Sequence, residues 1–157
     1  MAHAGYIFLI VLGLYLLHEL IHMLTASIIG LEINGVGATT RPYPHLYVSI
    51  VWPKSQIKKY IYLFCSPIVT AILFAVHISF DIPNSHLFTY AFIIQIIMET
   101  NPFYSDFTIA LFTRNVKWQH SQKVSYKEMF LKHQFSRLWY FHFIIWGCII
   151  IFLASLI

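Results

Sequence analysis

Three side chains near the start of the chain have the types and the spacing of a metal site. His18, Glu19 and His22 form the pattern His-Glu-x-x-His. On an α-helix, residues four positions apart lie on one face, so the two imidazoles can bind one zinc ion. Glu19 would lie beside the metal, where its carboxylate can take a proton from an attacking water and pass it to a leaving amine. The motif therefore predicts a zinc-dependent hydrolase in which Glu19 is the general base.

The segment around this motif is apolar enough to cross a membrane. Of the 157 residues, 59% are hydrophobic and 10% are charged, whereas a soluble domain carries about 25% charged residues. Ionisable side chains in the middle of a spanning helix are costly and usually serve a function. A hydrogen-bonded cluster that joins helices without a metal is the alternative interpretation of the same residues.

The fold class that follows is an all-α membrane protein with about four transmembrane helices, forming one domain over residues 1–157. Each span needs about 20 apolar residues. The third is interrupted, because Pro102 removes a helical hydrogen bond and clashes with the preceding turn. The predicted spans are residues 5–29, 59–80, 86–112 and 138–157.

The two longer loops predict further structure. Residues 46–52 of the first loop are β-branched and aromatic, which predicts a strand that pairs with residues 33–40 in a short β-hairpin. An ordinary loop is the alternative interpretation of these residues. Residues 114–137 place apolar side chains near helical spacing among Lys, His and Gln. That pattern predicts an amphipathic helix on the inner membrane surface, or a solvated charged helix that fixes the topology.

The basic residues predict the orientation of the chain in the membrane. Lys and Arg fall in the two longer loops, whereas the N-terminus and the turn at residues 81–84 carry none. The positive-inside rule then places both loops in the cytoplasm and both termini outside, in a bacterial plasma membrane. The net charge of +4 is accounted for in this way, so no nucleic-acid partner is expected.

A catalytic zinc ion normally has three protein ligands and a water molecule, so one ligand remains to be found. The polar interruption of the third span offers two acidic side chains, Glu99 and Asp106. The first and third spans run in the same direction, which places His22 and Asp106 at compatible depths, both toward the cytoplasmic half of the membrane. Irregular polar backbone at membrane depth is tolerated only inside protein or along a cavity, so this interruption is expected to contribute to the site. His77 falls near the outer end of the second span and is expected to be a buried or interfacial polar residue, whereas His142 and five other histidines have no ligand spacing.

His-Glu-Leu-Ile-His in a first span, followed two segments later by Asn-Pro-Phe-Tyr-Ser-Asp at residues 101–106, resembles the site-2 protease group of intramembrane zinc metalloproteases. It is also similar to small bacterial zincin peptidases related to that group. These families use a later Asn-Pro…Asp-Gly motif whose Asp is the third zinc ligand. The resemblance covers about residues 5–112, and it implies that His18, His22 and Asp106 are the metal ligands.

The second motif departs from the family pattern in two respects. Phe107 stands where those families have Gly, and the interval from Asn101 to Asp106 is short. Glu99 therefore remains open as the alternative third ligand. The resemblance implies that Asn101 orients substrate, whereas a helix cap and break without a substrate role is the alternative for that residue.

The function implied is hydrolysis of peptide bonds in membrane-embedded or membrane-proximal peptides, with Zn²⁺ as cofactor. An exposed strand edge of the hairpin would hold the substrate by main-chain hydrogen bonds. The expected partners are the lipid bilayer and a membrane-associated peptide substrate, and an accessory membrane partner or an oligomer would help to select it. The alternatives are a metal transporter or sensor subunit without proteolytic activity, and an inactive protease homologue.

Overall fold

Helices make up most of the described chain. The computed structural model describes residues 2–39, 45–80, 85–113 and 135–156. Contacts divide the chain into two units, Met1–Gln95 and Ile96–Ile157. The elements in chain order are α1 (Ala2–Ile28), β1 (Ile33–Thr39), β2 (His45–Ile50), α2 (Gln56–Ser79), α3 (Ser85–Thr100), α4 (Asp106–Phe112) and α5 (Arg137–Ala154).

Three of these helices, α1, α2 and α5, are long and apolar enough to cross a membrane. Helix α3 is apolar but has only 16 residues, which gives it a length of about 24 Å. That is short of the ~30 Å hydrocarbon core of a bilayer. The first, second and fourth predicted spans are therefore confirmed in length and composition. A crossing by α3 together with α4 stays a prediction.

In the first unit, α1 ends where the sequence predicts, at a glycine. Gly30 has a φ of 68°, a left-handed conformation that a glycine adopts without steric cost. The Leu31 N–H donates to the Ala26 carbonyl at 2.8 Å, which closes the last turn as a Schellman motif. The Lys58 ammonium donates to the Ile29 carbonyl at 2.7 Å, so a positive charge lies at the negative end of the helix dipole.

Helix α2 begins earlier than the apolar pattern predicts. The Ser55 hydroxyl accepts a hydrogen bond from the Lys58 N–H at 3.4 Å and caps the helix. The helix therefore starts at Gln56 instead of Lys59, and its polar first turn precedes the apolar run.

The predicted β-hairpin is confirmed. Strands β1 and β2 pair antiparallel, with Val36 opposite Val48 and Gly37 opposite Tyr47. At Gly37 a Cβ atom would lie 2.9 Å from the Tyr47 hydroxyl oxygen, so a larger residue would displace the exposed end of the tyrosine side chain. The cross-strand tyrosine thus covers a position that no larger residue could occupy without moving it.

Two tyrosines fix the hairpin to the helices of the first unit. The Tyr15 hydroxyl on α1 accepts from the Leu46 N–H at 2.7 Å and donates to the Leu46 carbonyl at 3.1 Å. The Tyr62 hydroxyl on α2 donates to the Val48 carbonyl at 3.1 Å. These bonds go to the edge of β2 that faces away from β1, so the protein's own side chains occupy that edge.

In the second unit, the predicted interruption at Pro102 is confirmed. Helix α3 ends at Thr100, and α4 begins at Asp106 after the Ser105 hydroxyl has accepted from the Thr108 N–H at 3.2 Å. The predicted amphipathic segment, residues 114–137, lies outside the described residues except for its last three. Helix α5 follows its N-cap Ser136.

Candidate metal centre

One face of α1 carries the residues of the predicted site. Tyr15, His18, Glu19 and His22 follow the i, i+3, i+4, i+7 spacing that aligns side chains along a helix. His18 and His22 are buried, and Glu19 is partly buried. The neighbouring leucines are exposed, as expected of a helix whose remaining surface faces lipid. Those leucines are Leu16, Leu17 and Leu20.

The two histidines hold their Nε2 atoms 3.1 Å apart. Two ligand nitrogens on one tetrahedral zinc ion are separated by about 3.3 Å, given Zn–N distances of about 2.05 Å. The pair is therefore spaced for one metal ion. The same distance also fits an N–H···N hydrogen bond between the rings, in which one Nε2 carries the proton. Metal binding requires both Nε2 atoms to be unprotonated and both Nδ1 atoms to carry hydrogen.

Helix α2 contacts α1 at both histidines. The Tyr62 ring lies 4.8 Å from the His22 ring, centroid to centroid. The Ser66 hydroxyl donates to the His18 carbonyl at 3.1 Å. Tyr62 and Ser66 are four positions apart on α2, the same spacing as the two histidines on α1, so each histidine has its own contact with α2. The sequence marks this pair only by its spacing.

Ligand atoms of His18, His22 and Asp106 all lie within 4.8 Å of one another, and this group could hold a metal ion. Two imidazole nitrogens and one carboxylate oxygen are a donor set that catalytic zinc uses. Glu99 is buried near the end of α3. Within the part of the chain that the structure describes, it does not belong to that group.

The polar segment between α3 and α4 is organised by one side chain. Pro102 has no N–H for the Met98 carbonyl, and the Asn101 side-chain amide donates to that carbonyl instead. The Asn101 Oδ1 atom accepts from the Phe103 N–H at 2.9 Å and the Tyr104 N–H at 2.8 Å. These are the bonds of a cap and turn, the alternative that the sequence left open for Asn101, and its substrate role stays a prediction.

We expect Asn101→Ala to destabilise the protein by about 1–3 kcal/mol, because three backbone groups lose their partner. Thermal unfolding in detergent measures the change. Asn101→Asp is the matched variant, since it keeps both acceptor bonds and loses only the donor to Met98, and it should fall between Asn101→Ala and wild type. Unchanged unfolding of Asn101→Ala, together with a loss of cleavage, would assign Asn101 to substrate instead.

His77, expected from the sequence to be a buried or interfacial polar residue, is buried. Its Nε2 atom lies 3.0 Å from the Thr89 hydroxyl oxygen, and its ring packs on Phe88 and Phe92. The residue stabilises the contact between α2 and the first part of α3.

The ligand atoms of the group determine which metal chemistry it could support. Two imidazoles and a carboxylate bind a divalent metal and leave a coordination position open. Glu19 follows His18 directly in α1, and a carboxylate is a side chain that can accept a proton. Comparisons of the chain with protein-family models, with curated proteins and with solved structures gave no match.

Proposed function

We propose that the protein is an intramembrane zinc metalloprotease. The observation that carries this proposal is the buried histidine pair on a long apolar helix. The Nε2 atoms of His18 and His22 are 3.1 Å apart, and a carboxylate lies in the sequence between them. Ionisable side chains inside an apolar spanning helix cost free energy, and they usually serve a function.

In this proposal His18, His22 and Asp106 hold the zinc ion, and Glu19 is the general base. When bound, zinc polarises the scissile carbonyl and makes a water molecule acidic enough to react near neutral pH. The Glu19 carboxylate accepts a proton from that water as the carbon–oxygen bond forms. It then gives the proton to the amide nitrogen as the carbon–nitrogen bond breaks, so an acid and an amine leave.

The hairpin supports a peptide as the substrate class. The backbone groups of Leu46 and Val48 that bond to tyrosines point away from β1. In an antiparallel pair, the residues opposite them, Ala38 and Val36, therefore point their own N–H and C=O groups away from β2. The side chain of Val36 is 60% exposed. An extended peptide from the membrane or its surface would pair with this edge of β1 and present its main chain.

The proposed location is a bacterial plasma membrane with the hairpin on the cytoplasmic side. Three helices long and apolar enough to span support the membrane location. Lys54 and Lys58 are exposed at the end of the hairpin loop and the start of α2, which suits the inner surface under the positive-inside rule.

The test begins with the wild-type protein purified in detergent. We expect about one zinc ion per chain by elemental analysis, and cleavage of some members of a panel of labelled transmembrane peptides. A chelator should stop cleavage, and added zinc should restore it. Zinc without cleavage, together with metal uptake into vesicles, would favour a transporter. A protein that binds no metal and cleaves nothing would favour the hydrogen-bonded histidine pair.

The third ligand is tested by a matched pair of variants. Asp106→Asn should lower zinc affinity by more than about 100-fold, because a direct ligand exceeds the 10- to 100-fold effect of groups that only support ligands. Glu99→Gln should leave zinc affinity close to that of wild type, because Glu99 does not belong to the group of described residues that could hold the metal. Zinc competition with a fluorescent chelator measures both. The reverse pattern would assign Glu99 as the ligand.

A further inference from the structure

Helix α5 supplies hydrogen-bond donors to the end of α3. The last carbonyls of a helix have no intrahelical partner. The Thr100 carbonyl accepts from the His142 Nε2 at 2.9 Å, and the Ile97 carbonyl accepts from the Trp146 Nε1 at 3.2 Å. His142 is only 4% exposed. In such surroundings a carbonyl without a donor would be costly, because water is not there to replace the bond.

The same face of α5 also packs against the segment between the helices. His142 and Trp146 are four positions apart, with Trp139 and Phe143 along the same face. The Phe103 ring meets the rings of Trp139 and Phe143 edge to face, each at 5.6 Å between centroids. Helix α5 thus holds the end of α3 through hydrogen bonds and the interruption itself through aromatic contacts.

The first turn of α4 is fixed to the same point of the chain. The Thr108 hydroxyl donates to the Asn101 carbonyl at 2.9 Å, and the Ser105 hydroxyl donates to it as well. Asn101 follows Thr100, whose carbonyl His142 holds. Hydrogen bonds from α5 to Thr100, and from Ser105 and Thr108 to the adjacent Asn101, therefore link α5 to the turn that begins with Asp106.

We propose that His142 and Trp146 are positioning residues for the metal centre. Their N–H groups hold the interruption between α3 and α4 in one conformation and so set the position of the Asp106 carboxylate. The part that concerns metal binding rests on the proposed function, in which Asp106 is a ligand. A ligand has to be held within a fraction of an ångström, since a displacement of about 1 Å can cost roughly 100-fold in function.

The hydrogen bond defines which substitutions are informative. A carbonyl can only accept, so the His142 Nε2 must carry the hydrogen. His142→Phe keeps an aromatic ring and removes the donor, and Trp146→Phe does the same at the other position. His142→Gln keeps an N–H donor of similar reach. His77→Phe is the matched control, because His77 is another buried histidine of an apolar helix and bonds to a side chain instead of a helix end.

Two measurements on the full chain in detergent test the proposal. Hydrogen–deuterium exchange reports on the Phe103 and Tyr104 amides, and zinc competition reports on the metal site. We expect His142→Phe and Trp146→Phe each to speed exchange and weaken zinc affinity about tenfold, the effect of one buried hydrogen bond. His142→Gln should restore both to within about threefold of wild type. His77→Phe should lower the unfolding temperature and change neither quantity.

Unchanged exchange in His142→Phe would overturn the proposal, and so would faster exchange with unchanged zinc affinity. Equal effects of His77→Phe would show general destabilisation and overturn it too. A wild-type protein that binds no zinc contradicts the proposed function. The exchange measurement then decides by itself whether α5 holds the interruption.

Discussion

Alanine at position 22 is expected to remove the bound zinc and, with it, peptide cleavage. The His22 side chain is buried, and its Nε2 atom lies 3.1 Å from that of His18. Two protein ligands would remain, and a catalytic zinc site needs three. Zinc content should fall from about one ion per chain to near zero, with affinity reduced by more than about 100-fold. Elemental analysis and the peptide assay measure the two effects.

The control for this variant is His86→Ala. His86 is an exposed histidine on α3 whose ring lies 6.2 Å from that of His3, and it is not part of the metal group. It should keep full zinc content and activity. Full zinc content in His22→Ala would contradict the metal centre and leave the two histidines as a hydrogen-bonded pair.

Glutamine at position 19 should separate metal binding from chemistry. The amide has the shape of the carboxylate but cannot accept the proton from water, so kcat should fall by about 10² to 10⁴. Zinc content and KM should stay near their wild-type values, because Glu19 is assigned as a base and not as a ligand. Steady-state kinetics on a cleaved peptide, with zinc measured on the same samples, gives all three quantities.

Glu32→Gln is the matched control, since Glu32 is exposed just after α1 and undergoes the same chemical change. It should behave as wild type. Two results would contradict the assignment of Glu19. Undiminished cleavage by Glu19→Gln would mean that another group takes the proton, and loss of zinc would mean that Glu19 is a ligand.

The helices and the hairpin were predictable because their signals are local. A glycine after α1, a proline after α3 and apolar runs between polar loops predict boundaries within about three residues of those observed. The start of α2 was less predictable, because the cap at Ser55 extends the helix through polar residues. The β-branched and aromatic run after Pro44 similarly predicts the second strand.

The choice between Glu99 and Asp106 could not be made from spacing. The two are seven positions apart, so on an unbroken helix they would share a face. The interruption at Pro102 removes that regularity, and the turn around Asn101 sets where α4 begins. Among the described residues, the group that could hold a metal ion contains Asp106 together with His18 and His22, which is why the proposed function takes Asp106 as the third ligand.

The supporting residues were missed for a related reason. Tyr15, Ser66 and His142 each bond to a backbone carbonyl that is 31 to 48 positions away in the sequence. Periodicity shows which side chains share a face, but it does not show which carbonyl lies opposite them. His142 has no metal-ligand spacing in the sequence, and its Nε2 atom bonds to the Thr100 carbonyl.

The bond from His142 to Thr100 also imposes an order on biosynthesis. The two residues are 42 positions apart, so the ribosome finishes the interruption well before it makes the donor. Until α5 enters the bilayer, the carbonyls at the end of α3 have no donor from that helix, and lipid offers none. The nascent chain would therefore carry its histidines and glutamate before its third ligand is held in place. Under the proposed function, insertion of α5 would be the step that completes the centre, and a protease of this design would stay inactive until then.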